Sequence, residues 1–470
     1  MAGTVIETRR YFVYLPPRQR SVAIICFIPD YGHLQPLLKL ADALKEAGFH
    51  IKCYIASECA PLLKRFPFES FELDAIPRQE LGREMDRFFK RSSFFTSVCL
   101  YLHYLAIYPK ISAGVGREAL RLNEELQRQR PDVIISDAKW FVDWYAHIAQ
   151  SLGVRLLINS FDGSLAYHQR PFVQTFGLTR VPEIVQTAVE KISSVSKALC
   201  SSYYRFRFFG DWLKLRSVRQ TAIAEFKAAF PIRGHEAVPP EWLVFGTASL
   251  ERRRLSSALQ TKGATRREFP ALKFHSSLPL SDDLRAWIDA DIERPIVYVS
   301  FGSAVEIDGP FARAVHDGLR LLDVRVLWSL PANQRSLVSK LPVDNKIRFE
   351  SFVPQPEILA IANVQCFVTQ AGPHSVQEAL FGATPMLCIP FFADQAYNAS
   401  VVEHLGVGKK LWRRDVSVQS VSSSIRDILG GEQFRGKAKT ISEELLSNEG
   451  SAAISKHVAE LLKLQSRQMR

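Results

Sequence analysis

The stretch VTQAGPHSVQEAL, residues 368–380, decides how the second half of this chain folds. It starts at the end of an apolar run, Cys366-Phe367-Val368. It then passes through Gln370-Ala371-Gly372-Pro373 and enters a helical pattern at His374. A short continuous apolar run is the signature of a strand buried on both faces of a parallel sheet. In such a sheet the strand's carboxyl end faces the crevice. A helix that starts there aims its unpaired N–H groups and positive dipole end at whatever occupies that crevice. Gly372 permits close backbone approach and an unusual dihedral. Pro373 is pre-shaped for a first helical turn and has no N–H to lose. His374 and Ser375 then present backbone N–H groups, and Ser375 adds a hydroxyl. This is the pattern of an anion site, with phosphate the usual occupant. Taken alone, it is equally the pattern of an ordinary strand-to-helix turn.

The same grammar surrounds it. PIVYVSFGS (295–303), VRVLWSL (324–330) and PMLCIP (385–390) read as buried strands separated by helical stretches. The first half repeats the scheme. SVAIICFIP (21–29) is a strand, and DYGHLQP (30–36) turns into a helix carrying Leu34, Leu37, Leu38, Ala41 and Leu44. Gly48 closes that helix. FHIKCYIA (49–56), DVIISD (132–137) and VRLLINS (154–160) supply further strands. Strand, helix, strand with short joints is a βαβ unit. The fold class is therefore α/β, with two doubly wound Rossmann-like halves and ligands at the carboxyl ends of their strands. Residues 1–20 read as a tail, 21–254 as the first domain, 255–292 as a polar linker and 293–447 as the second domain. Residues 448–470 form an amphipathic helix expected to pack back on the first domain.

Bulk properties narrow the function. A chain of 470 residues with 47% hydrophobic and 23% charged residues has material for two cores. The net charge of +12 fits an acidic ligand or an anionic surface. Neither zinc-finger spacing nor an RNA-binding signature is present, so nucleic acid is not an expected partner. The seven cysteines form no C-x-x-C pair and lie largely in apolar runs, which points to reduced core thiols and a cytoplasmic location. The N-terminus lacks the apolar stretch of a signal peptide. FFTSVCLYLHYLAIYP (94–109) is too short to span a bilayer. A soluble protein is expected, with peripheral membrane contact through YYRFRFFGDWLKLRSVR (203–219) as one reading and a solvated helix face as the other.

Beyond the opening stretch, FVPQPEIL (352–359) precedes it and PFFADQAYNA (390–399) follows. The block resembles the donor-binding signature of the UDP-dependent glycosyltransferases: aromatic-x-P-Q, then T-H-x-G-x-N-S-x-x-E, then D/E-Q. VYVSFGS (297–303) is similar to that family's phosphate-loop entry, and DYGHLQPLLKLADAL (30–44) to its N-terminal G-H-x-x-P segment. Order and spacing hold from about residue 20 to 465. The resemblance implies the GT-B fold, two Rossmann-like domains facing across a cleft, with a UDP-sugar between them.

By that resemblance, Phe352 stacks on uracil, and the backbone around Val353 and Gln355 pairs with the base edge. Glu378 holds the ribose hydroxyls, which a carboxylate can accept as a pair. Ser303, Gln370, Gly372, His374 and Ser375 cradle the diphosphate, and Asp394 and Gln395 bind the sugar; an N-cap reading of the last two is compatible with this. His33 is the general base, oriented by Asp137, and it deprotonates an acceptor hydroxyl that attacks the anomeric carbon with inversion. No Asp-x-Asp motif is read, so no metal and no cofactor beyond the UDP-sugar co-substrate is inferred. A monomer is expected. Aromatic residues between 88 and 108 read first as core or lid packing, and as the sharper alternative they line an apolar pocket for a small lipophilic or aromatic acceptor.

Two positions depart from the family. Gln370 stands where its histidine contacts the diphosphate, and His374 where it has asparagine. His374 is expected to supply the missing imidazole, so that His374→Ala weakens UDP binding more than Gln370→Ala. The departures keep two rivals open: a catalytically silent binding protein of the same fold, and a nucleotide-sugar epimerase. GVGREA (114–119) matches a dinucleotide fingerprint formally, but no strand precedes it, so it is read as part of a helix.

Overall fold

The computed structural model of the protein describes residues 5–8, 11–14, 19–27, 31–63, 68–74, 115–136, 142–160, 224–228, 240–245, 265–273, 279–302, 305–391 and 395–468, less a few isolated positions. Two parallel sheets organise these residues. An antiparallel hairpin, β1 (Val5–Thr8) and β2 (Tyr11–Tyr14), precedes them. The stretch read as a tail therefore contains a hairpin, and the alternation in VIET and YFVY around Arg9-Arg10 is its signal.

The first sheet contains β3 (Ser21–Cys26), β4 (His50–Ala56), β5 (Glu69–Leu73), β6 (Val133–Ser136), β7 (Arg155–Ser160), β8 (Glu241–Phe245) and β9 (Thr265–Phe269). Its order is β5-β4-β3-β6-β7-β8-β9, every pairing parallel. The second contains β10 (Ile296–Ser300), β11 (Arg325–Ser329), β12 (Ile347–Glu350), β13 (Val364–Thr369), β14 (Met386–Cys388) and β15 (Gly408–Lys410), in the order β12-β11-β10-β13-β14-β15. Each sheet starts in its middle, runs to one edge, and restarts on the other side of its first strand. The reversal creates a crevice between β3 and β6 and another between β10 and β13, the places where doubly wound sheets bind ligands.

Part of the expected linker is structured. Thr265–Phe269 extends the first sheet as its edge strand, and Asp282–Asp289 is a helix capped by Ser281. The three charged residues of TRREF obscured the strand, because an edge strand accepts charge that a buried central strand does not. Arg267 uses that position to pair with Glu241 on β8 at 2.9 Å.

Helix α1 (Tyr31–Glu46) lies on the first sheet. Its Leu34, Leu37, Leu38 and Leu44 join Ile24, Cys53 and Ile135 in one core. Gly48, at φ +89°, lets the chain turn from α1 into β4. Helix α2 (Val142–Leu152) covers the opposite face through Trp144, Tyr145 and Ile148. Residues 115–128 are helical beside it, so the described part of GVGREA lies in a helix. On the second sheet, α3 (Gly309–Arg320) packs on one face, and α4 (Gln355–Leu359) and α5 (Pro373–Phe381) on the other. Helix α6 (Gln395–Leu405) joins α5 on that second face. The last helix, α7 (Gly450–Gln468), returns to the first sheet, where Ile454, Val458 and Leu461 complete the α1 core. Truncating one of these buried leucines costs about 2–5 kcal/mol. Cys26, Cys53, Cys59, Cys366 and Cys388 are buried.

Candidate nucleotide-sugar site

At the crevice of the second sheet, β10 runs into Phe301-Gly302 and β13 into Gln370-Ala371-Gly372. Phe301 is wedged edge-on against Phe311 and Phe391, at 5.2 and 5.6 Å between ring centres, which ties the first loop to α3 and to the segment after β14. Gly302 is left-handed, at φ +70°. In the second loop the left-handed residue is Ala371, at φ 64°, while Gly372 is extended, at φ −61° and ψ 146°. The unusual dihedral expected of Gly372 thus belongs to its neighbour. An L-residue there is strained, and two bonds hold the turn: Asn398 Nδ2 donates to the Ala371 carbonyl at 3.0 Å, and Ala371 N donates to Thr369 Oγ1 at 3.3 Å.

Gly372 instead provides space. A Cβ on it would stand 3.0 Å from Gln370 Nε2, and one on Gly302 would stand 2.4 Å from the same atom. The Gln370 amide therefore lies between the two glycines. Thr369 Oγ1 donates to its Oε1 at 3.0 Å, which fixes the amide's orientation and turns Nε2 into the crevice. Gln370 is 8% exposed, and among the described residues Nε2 has no hydrogen-bond partner. The ladder of α5 opens with Val376 N donating to Gly372 O at 3.0 Å. The N–H groups of His374 and Ser375 precede it and lie at the positive end of the helix. Two glycines, a helix start and a buried amide donor aimed inward make an anion cradle.

One turn along α5, Glu378 is 5% exposed and sits in a polar network. Gln355, at the start of α4, donates to Glu378 Oε2 at 2.8 Å and to Ser375 Oγ at 3.3 Å. Its own Oε1 accepts the Tyr298 hydroxyl at 3.0 Å. Burial pushes the Tyr298 phenol well above its ordinary range, so it acts as a neutral donor. From the first half of the chain, Gln35 Nε2 donates to Glu378 Oε1 at 3.0 Å, and Lys39 Nζ stands 3.7 Å from the same oxygen. Burial pulls Lys39 below the usual lysine range, and the Glu378 charge and hydrogen bond oppose that pull.

Phe352 is 52% exposed beside this pocket, while Val353 is buried. Gln395, the first residue of α6, is buried and accepts from Phe391 N at 2.9 Å. His33 belongs to the first turn of α1, at the crevice of the first sheet, and its side chain lies outside the described residues. Asp137, Ser303 and Asp394 lie outside them as well, as do the aromatic segment 88–108 and the basic segment 203–219. Sequence reasoning missed Gln35, Lys39, Tyr298 and Asn398. The four-residue spacing of Gln35 and Lys39 inside an apolar helix was the available signal, because it puts two polar groups on one face. It also overlooked an Asp-x-Asp spacing, Asp289-Ala290-Asp291. That pair ends the helix Asp282–Asp289, and Asp291 is engaged by Arg294 N at 3.2 Å and Arg294 Nη1 at 3.5 Å.

Residues 267–444 match the family described as "UDP-glucoronosyl and UDP-glucosyl transferase". UDP-glycosyltransferase 76G1 of Stevia rebaudiana is 25% identical over 457 residues, which cover 91% of this chain and 93% of that protein. UDP-glucuronosyltransferase 3A1 of Xenopus laevis is 28% identical over 166 residues, 35% of this chain and 31% of the relative. The chain spans about a third of the length of most of the curated relatives it matches. Os79 from O. sativa, solved with U2F and trichothecene, superposes with a TM-score of 0.61 at 17% identity, covering 94% of this chain and all of that one. That likeness shows the fold, the two Rossmann-like domains of GT-B glycosyltransferases. Residues 267–444 are therefore similar to the UDP-glycosyltransferases, and the likeness to the Stevia enzyme runs over nearly the whole chain.

Proposed function

We propose that the protein transfers a hexose, glucose first among the candidates, from a UDP-sugar to a hydroxyl of a small lipophilic or aromatic acceptor, with inversion. The observation that carries this reading is the Gln370 amide, aimed between Gly302 and Gly372 at the start of α5, with Glu378 one turn away. Diphosphate charge suits the cradle, and a ribose diol suits the carboxylate. Phe352 offers an exposed ring for the base, and Ser303, His374 and Ser375 complete the phosphate contacts. Asp394 and Gln395 border the sugar. His33 takes the acceptor's proton, steadied by Asp137, and later releases it to solvent. The acceptor oxygen forms a bond to the anomeric carbon as the bond from that carbon to the UDP oxygen breaks. The leaving diphosphate keeps the electron pair, and the α5 N–H groups with Gln370 Nε2 stabilise its charge. No step in this scheme calls for a metal. The acceptor class is supported by the trichothecene held by Os79.

The test is calorimetric titration of the full chain with UDP in the presence of a chelator, with dTDP for comparison, followed by a search for glycosylated product. Uridine-preferring binding and a glycoside are the expected results. Absence of binding to either nucleotide overturns the reading in favour of a silent binding protein. UDP-sugar turnover without acceptor favours the epimerase.

A further inference from the structure

Glu378 is shared between the two halves of the chain. Its Oε2 faces Gln355 at 2.8 Å, and its Oε1 faces Gln35 at 3.0 Å and Lys39 at 3.7 Å. Gln355 belongs to the same half as Glu378 and is held in turn by Tyr298. Gln35 and Lys39 stand one helical turn apart on α1, in the opposite half, and both are buried. A carboxylate offers about four acceptor directions. Among the described residues three are faced by protein donors, which leaves one for an incoming ligand.

Resting on the reading above, in which Glu378 receives the donor's ribose, we propose that Gln35 and Lys39 are specificity-determining residues that set how strongly the site separates ribose from 2′-deoxyribose. A ribose brings two neighbouring O–H donors. To place both on Glu378 it must displace a group already there, and the groups to yield are those of the opposite half. A 2′-deoxyribose brings one hydroxyl at this position and displaces nothing. Occupation of Oε1 by α1 therefore cancels most of the advantage of the second hydroxyl. Freeing Oε1 restores it, because a hydrogen bond to a buried carboxylate is strong.

The experiment titrates UDP and 2′-deoxy-UDP into the full-length protein and into Gln35→Leu and Lys39→Met. The wild type is expected to bind the two nucleotides within about threefold of each other. Gln35→Leu is expected to raise that ratio to about tenfold or more, the worth of one charge-assisted hydrogen bond. The increase comes from tighter UDP binding, with the deoxy compound unchanged. Lys39→Met shifts the ratio in the same direction and carries the test if Gln35→Leu does not fold, while Lys39→Arg keeps the wild-type ratio. A ratio that stays constant, or UDP binding that weakens in both variants, overturns the inference and leaves the donor site intact. A wild type that binds neither nucleotide overturns the donor reading and this inference together.

Discussion

Gln370 and Gly302 share a volume that admits only one side chain: a Cβ on Gly302 would stand 2.4 Å from Gln370 Nε2. Gly302→Ala meets a second obstacle, since φ is +70° and a left-handed L-residue is strained by roughly 1–2 kcal/mol. The amide must move and the loop must shift. The expected result is at least tenfold weaker UDP binding by calorimetry, with a thermal midpoint lowered by a few degrees. Gly436, in the helix Glu432–Ser447, has nothing within 4 Å of its missing Cβ, so Gly436→Ala is the control. It should stabilise by about 0.4–1 kcal/mol without changing UDP affinity.

The amide's position also revises the order of importance between Gln370 and His374. Gln370 Nε2 already points into the crevice, and His374 contributes through its backbone whatever its side chain does. Gln370→Ala should therefore weaken UDP binding by about five- to tenfold, as expected for one neutral donor to a charged group. His374→Ala should weaken it less. Parallel titrations of the two variants decide the order.

Asn398 holds the carbonyl of the strained Ala371. Asn398→Ala removes that bond and leaves the one from Ala371 N to Thr369 Oγ1 as the remaining hold on the turn among the described residues. A loss of about 1 kcal/mol in urea unfolding is expected, with a proportionally larger loss of UDP affinity because the turn forms one wall of the cradle. Asn398→Asp, which removes the donor and keeps the shape, should reproduce the effect.

The backbone grammar was legible because buried parallel strands are apolar runs and their joints are short. DVIISD and VYVSFGS announced both crevices, and Gly372-Pro373 announced the start of α5. The edge strand Thr265–Phe269 was not legible, since three of its five residues are charged and the apolar run of a buried strand is missing. Ala371 was hidden for another reason. A left-handed alanine leaves no mark in sequence, whereas the glycine beside it invites the assignment. Gln35 and Lys39 drew no reading, since polar residues on a helix usually face solvent, and only the second half of the chain, folded against them, turns their face into an interior.

Asp42, also on α1, makes stability depend on pH. Burial, the first cause, and the nearby Glu46 charge raise its carboxyl from 3.8 to about 6, with Lys45 opposing. The unfolded chain ionises first as pH rises through about 4, so the folded state loses stability between about pH 4 and 6 and carries a constant deficit above that. The displacement corresponds to at most ~3 kcal/mol, and the carboxyl's partial exposure screens it to about 1 kcal/mol. Asp42→Asn should therefore be more stable than wild type by about that amount at pH 7.5 and no more stable at pH 3.5. Urea unfolding at the two pH values checks the sign.

His33 tests the chemistry separately from the donor site. It occupies the first turn of α1 at the crevice between β3 and β6, and Asp137 directly follows the last residue of β6. The residues assigned to the diphosphate lie in the loops of the second sheet, and among the described residues α1 reaches the donor site through Gln35 and Lys39, so the proposed scheme gives His33 no part in holding UDP. Removing a general base costs about 10²–10⁴ in rate. His33→Ala should therefore lower kcat by that factor while UDP affinity changes less than twofold. Asp137→Asn should lower kcat by a smaller factor and flatten the pH profile on its acidic limb, because the imidazolium loses its partner. Equal losses of UDP binding and rate in His33→Ala would mean that this residue holds the donor rather than the acceptor's proton, and the base would then have to be sought elsewhere.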